Sequence, residues 1–203
     1  MPLDLPNHDH GGIKTYDLQR LHPSLLKARA LNQPLLFDTD GIGNPDDATV
    51  RRAAWTAWVS GGHVSYLDDS LQPGSEHGGD FQGSRRATLR EQWGHLAAFA
   101  GPSPAQEVRF WEMQPDDTLV VGNGRRAVPA FALASAHEAV VYLPEGGSVT
   151  LNLAGLQGPL TARWFNPREG KWAEEFALEG AGDREFTAPA AEDWTLYLRR
   201  SCP

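Results

Sequence analysis

The segment 34–69, PLLFDTDGIGNPDDATVRRAAWTAWVSGGHVSYLDD, constrains this chain more than any other. Two short apolar runs, Leu35-Leu36-Phe37 and His63-Val64-Ser65-Tyr66-Leu67, each end in acidic residues: Asp38 and Asp40 after the first, Asp68 and Asp69 after the second. The residues between them carry a helical pattern, so the segment predicts a βαβ unit with a parallel strand pair. Both acid clusters then fall at the carboxyl ends of their strands, the edge at which parallel α/β folds gather binding and catalytic groups. The expectation is a carboxylate-lined site of barrel type.

The intervening helix is well signalled. Asn44 is placed to cap it, Pro45 suits the first helical position, and Asp46 and Asp47 complement the positive end of the helix dipole. Val50, Ala53, Ala54, Ala57 and Trp58 recur at helical spacing, and Gly61-Gly62 ends the helix, glycine taking the left-handed conformation without strain.

On either side the texture differs. Residues 1–16 are polar and turn-rich, which predicts loop. A helix is expected between Tyr16 and Leu31, interrupted at His22-Pro23. Residues 70–84 form a glycine-rich loop directly after the second strand, and 86–100 read as a helix stopped by Gly101-Pro102. Beyond about residue 115, seven short alternating runs begin at Val128, Ala139, Ser148, Leu160, Glu174, Arg184 and Trp194, separated by clusters such as Pro144-Glu145-Gly146-Gly147. That spacing predicts an antiparallel β-sandwich. The first half holds only two strands of crossover type, whereas a complete eight-stranded α/β barrel needs roughly 200–250 residues by itself. The fold class is therefore α/β plus all-β. Residues 1–112 supply either the last two β/α units of a (β/α)8 barrel or a small α/β layer, and 113–203 supply a C-terminal sandwich.

Composition narrows the partners. With 203 residues, 40% hydrophobic and 22% charged, the chain has the balance of a globular protein. A net charge of −8 disfavours non-specific nucleic-acid binding, and no apolar run is long enough to span a membrane. Met1-Pro2-Leu3-Asp4 lacks a basic start and an apolar core, so no signal peptide is visible. The one cysteine, Cys202, excludes an intramolecular disulfide.

At the motif level the chain resembles the C-terminal part of apiosidase-like glycoside hydrolases, in which a (β/α)8 barrel is followed by a β-sandwich labelled a collagen-binding domain. The matching pieces are 34–41, Val50-Arg51-Arg52-Ala53-Ala54-Trp55, Ser60-Gly61-Gly62-His63, the run 141–149 (VYLPEGGSV), the run 162–170 (ARWFNPREG) and Glu192-Asp193-Trp194-Thr195-Leu196. The resemblance covers most of residues 34–200. It implies that 34–37 is barrel strand seven and 63–67 strand eight, with an acid/base glutamate after strand four and a nucleophilic glutamate after strand seven. At the strand-seven position this chain carries Asp38-Thr39-Asp40 in place of the glutamate, a shorter side chain in chemistry that needs carboxylates held about 5 Å apart.

The candidate catalytic residues are therefore Asp38 and Asp40, with a turn as the alternative role for these two aspartates. His63, Asp68 and Trp55 are the candidate substrate-binding residues, and carbohydrate is the expected partner. A competing location is the sandwich, through Trp164 or Trp172. Asp68-Asp69 and His63 also have structural explanations, as a capped turn and a buried hydrogen-bonded histidine. Trp55 and Trp58, three apart on one helix, suit mutual packing as well as a sugar platform. His8-Asp9-His10 has the spacing of a metal pair without an evident partner cluster; His77 beside Glu76 and Asp80 is the candidate to complete one, but polar loop histidines are usually solvated, so no metal and no cofactor are expected. Gly78-Gly79 lacks the frame of a phosphate loop, and no Gly-x-Ser-x-Gly motif is present.

Overall fold

The computed structural model describes residues 13–31, 35–39, 45–65, 84–100, 108–124 and 127–201. The chain divides into two compact units, 1–94 and 95–203.

In the first unit, α1 spans Leu18–Arg29, β1 Leu36–Asp38, α2 Asp47–Val59 and β2 His63–Ser65. Strands β1 and β2 pair in parallel, Leu36 opposite His63 and Asp38 opposite Ser65, as the alternation of patterns predicts. Ile13 adds a parallel bridge to Phe37 on the other edge of β1. Both helices bury apolar stripes, Leu18, Leu21 and Leu25 on α1 and Val50, Ala53, Ala54 and Ala57 on α2. A buried polar chain joins them: the His22 Nδ1 lies 2.7 Å from the Ser60 hydroxyl, which itself donates to the Thr56 carbonyl at 2.6 Å. Because the serine proton is committed to that carbonyl, the imidazole donates from Nδ1.

Two helix expectations change. Asp46, not Asn44, is the N-cap of α2, its carboxylate accepting from the Thr49 backbone N–H at 3.0 Å and the Thr49 hydroxyl at 2.7 Å. Pro45 therefore precedes the cap instead of opening the helix. Asn44 lies outside the described residues. In α1 the helix runs through Pro23 without a break. Pro23, the sixth of the 12 residues of α1, forfeits one backbone bond, a loss that the buried leucine stripe and the Asp17 cap outweigh.

Helix α3, Ser84–Ala100, leads into the second unit. There the strands are β3 Gln114–Pro115, β4 Val120–Gly122, β5 Phe131–Ala134, β6 Glu138–Leu143, β7 Ser148–Asn152, β8 Gly158–Asn166, β9 Lys171–Trp172, β10 Phe176–Gly180, β11 Asp183–Thr187 and β12 Trp194–Arg200. All pairings are antiparallel. One sheet runs β10-β8-β12-β6-β5-β3 with β9 attached to β8, and the other runs β11-β7-β4. The seven alternating runs of the sequence fall on β5, β6, β7, β8, β10, β11 and β12. The short strands β3, β4 and β9 have too few residues to show alternation.

The two sheets enclose one core. Val149 and Leu151 of β7 and Phe186 of β11 pack with Val141, Leu143, Leu160, Trp164, Leu196 and Leu198 of the larger sheet. In β7 the alternation is clean, because the outer face keeps Ser148, Thr150 and Asn152 half-buried. Strand β6 is buried along its whole length, so the larger sheet is covered on its other face as well. There Phe99 stacks on Trp172 with centroids 5.1 Å apart, and Phe165 and Tyr197 complete the cluster. The β6–β7 turn depends on glycine. Gly146 has φ +60°, and a Cβ there would collide with the carbonyl oxygens of Ala190 and Glu192.

Candidate functional site

In a parallel pair, partnered residues point to the same side, and successive residues point to opposite sides. Phe37 faces the helices and is fully buried. The opposite face therefore carries Leu36, Asp38, His63 and Ser65, and Lys14, next to the bridged Ile13, joins them. His63 and Ser65 are exposed, Leu36 is 39% exposed, and Asp38 is partly buried. The Lys14 ammonium sits 3.9 Å from the Asp38 carboxylate, a long ion pair with both side chains largely shielded. The Asp38 backbone N–H donates to Ile13 and the Thr39 N–H to Ser65, so the end of β1 is held on both sides.

This arrangement unites Asp38 and His63 on one face but not at one end. Asp38 closes β1 opposite Ser65, whereas His63 opens β2 opposite Leu36. Two residues along and one strand across, their Cα atoms stand roughly 8 Å apart by strand geometry. Asp40 and Asp68 lie outside the described residues, as do His8, Asp9, His10, Glu76, His77, Asp80 and most of the loop 70–84. Trp55, expected to contact substrate, is instead core: it is 0% exposed and meets Trp58 edge to face at 6.1 Å. The reason is that α2 is buried through more than a full turn, Ala53, Ala54, Trp55, Thr56 and Ala57 alike, with Trp58 half-buried just beyond. Among the described residues no group of three His, Cys, Asp or Glu could hold a metal ion.

Lys14 is the residue of this face that sequence reasoning missed. Residues 1–16 read as loop, and a single bridge at Ile13 leaves almost no periodic trace. The available signal was Ile13-Lys14 itself, a β-branched residue and a cation shortly before the helix cap Asp17.

In the sandwich, the expected tryptophans are not free platforms. Trp164 is buried against Trp194, and Trp172 is stacked on Phe99 beneath the Arg163 guanidinium. A charged group is buried on the same sheet. Glu138 is 1% exposed and accepts from the Arg109 backbone N–H at 3.0 Å and from its Nε at 3.2 Å. The pair raises the Arg109 pKa above its ordinary value, chiefly through the hydrogen bond to Glu138. Burial, and then the Glu138 charge, push the Tyr197 phenol well above 10.0.

Residues 114–199, less than half of the chain, match a family described as "Putative collagen-binding domain of a collagenase". No curated protein matches the chain. Solved structures similar to it include two glycoside hydrolases. One is titled "Glycoside hydrolase": TM-score 0.67, 19% identity, covering 91% of this chain and 46% of the other. The second is a glycoside hydrolase family 5 protein from Bacteroides vulgatus ATCC 8482: TM-score 0.65, 19% identity, covering 91% and 44%. The chain thus spans less than half the length of the structures it matches. At this identity the likeness establishes the fold, an α/β unit followed by mostly antiparallel sheets, shared with glycoside hydrolase chains and carrying a collagen-binding-type sandwich.

Proposed function

We propose that the chain is a portion, or a truncated relative, of a glycoside hydrolase of apiosidase-like type acting on polysaccharide or oligosaccharide. In this reading residues 1–112 are the C-terminal portion of a (β/α) barrel and 113–203 an accessory sandwich. The observation that carries it is the face of the parallel β1–β2 pair opposite the helices, where the shielded Lys14–Asp38 pair lies with the exposed His63 and Ser65. Parallel sheets are normally covered on both faces, and in a barrel the face away from the helices turns inward. Asp38, with Asp40 beyond the described residues, supplies carboxylate chemistry, and His63 and Asp68 supply contacts to sugar hydroxyls. Carbohydrate is the partner. The charge of −8 argues against nucleic acid, and no helix among the described residues is long and apolar enough to cross a membrane.

Hydrolysis of a glycoside uses two carboxyl groups, about 5 Å apart in retaining enzymes and about 6.5–9.5 Å apart in inverting ones. Among the described residues this face offers one carboxylate, Asp38. The purified chain is therefore expected to hydrolyse aryl glycosides little or not at all. Robust turnover that disappears in Asp38→Asn or Asp40→Asn would overturn the view that the chain is catalytically incomplete. The second reading is a non-catalytic accessory module that binds carbohydrate or protein. It is favoured by the pairing of Asp38 with Lys14, which presents acceptor and donor together.

A further inference from the structure

Of the seven tryptophans, all within the described residues, Trp111 is the exposed one, at 57%. It lies on the short 3-10 turn Phe110–Glu112 in the second unit, and exposing so large an apolar ring has no folding benefit. The turn is nonetheless firmly held. Arg109, directly before it, is anchored through its backbone N–H and its Nε to the buried Glu138, and Met113 closes it with a bond to the Phe110 carbonyl. Phe110 meets the indole edge to face at 5.5 Å and 76°. The same turn carries Arg109 and Glu112 as an ion pair at 3.3 Å, so a cation and a carboxylate neutralise each other beside the ring.

We infer that Trp111 is a binding platform for a neutral pyranose ring of an oligosaccharide. A flat apolar ring, held without the entropy cost of ordering it on binding, suits the C–H face of a sugar. The adjoining donor and acceptor suit its hydroxyls, and the locally balanced charge gives a charged ligand no advantage. The inference rests on the carbohydrate reading above but assigns the contact to a turn of the second unit, with none of the residues of the β1–β2 face.

The test is a titration of the full 15N-labelled chain with cellohexaose, xylohexaose and mannohexaose. With at least one of them, the Trp111 indole N–H and the amides of 109–112 are expected to shift. Trp111→Ala should weaken that binding by at least about tenfold, and Trp111→Phe should retain part of it. Because the side chain is exposed, the melting temperature of both variants should match that of the parent, which excludes misfolding as the cause. Binding that Trp111→Ala leaves unchanged and Asp38→Asn abolishes would overturn the platform and leave the carbohydrate reading standing. No shift with any probe at roughly 10 mM would overturn both.

Discussion

Tyr197 lies between the aromatic cluster and the Glu138–Arg109 pair, and its ionisation is opposed first by burial and then by the neighbouring carboxylate. A phenol whose folded pKa is raised stabilises the protein fully below its ordinary value of 10.0, and that contribution is lost as pH rises toward the folded value. The chain is therefore expected to lose stability above pH 10.0. Of its four tyrosines, Tyr197 should give its tyrosinate absorbance only as the fold is lost. Tyr197→Phe should cost about 1 kcal/mol at neutral pH, because it removes a partner of buried Glu138, and should flatten the alkaline limb. Melting temperatures measured across that pH range check both outcomes; an unchanged alkaline limb would show that other groups cause it.

Among the elements, α2 makes the first unit a unit, since it carries the crossover between two parallel strands. Its start depends on Asp46. Hydrogen bonds from the Thr49 hydroxyl and then from the Thr49 backbone N–H hold that carboxyl below its ordinary 3.8. Here the sign is opposite to that of Tyr197. The contribution is present above 3.8 and disappears as pH falls through the lower folded value. Asp46→Ala should destabilise the first unit by about 1 kcal/mol at neutral pH, and the gap between variant and parent should narrow in strong acid. Asn, which also caps well, should recover most of the loss without the pH dependence. Denaturant melts followed by far-ultraviolet circular dichroism at neutral and acid pH measure these differences.

For the molecule as a whole, the second unit has what an independent domain needs: ten strands in two sheets, one shared core, and Phe99 of α3 covering the outer aromatic cluster. A fragment of residues 95–203 is expected to fold alone, with dispersed amide resonances and a single cooperative unfolding transition. The same fragment begun at residue 113 would lack both Phe99 and Arg109. It should melt lower, because it exposes Phe165 and Trp172 and leaves Glu138 buried without its cation. Equal melting temperatures for the two fragments would refute a structural role for 95–112.

What this sequence determines by itself is local and periodic. The helix α2, the parallel order of β1 and β2 and the position of seven sandwich strands follow from spacings within a few residues, since side-chain direction repeats every 3.6 or 2 positions. The choice of Asp46 over Asn44 as cap was beyond that reach, because both suit the role and backbone geometry decides between them. The tertiary structure alone decided which tryptophan meets solvent. Trp55, Trp164, Trp172 and Trp111 are alike in composition, and only distant packing buries the first two, stacks the third on Phe99 and leaves the fourth exposed. The same holds for Lys14 beside Asp38 and Arg109 beside Glu138, pairs separated by more than twenty residues. No periodicity encodes a contact of that kind; it exists only once the segments that carry both partners have been brought side by side.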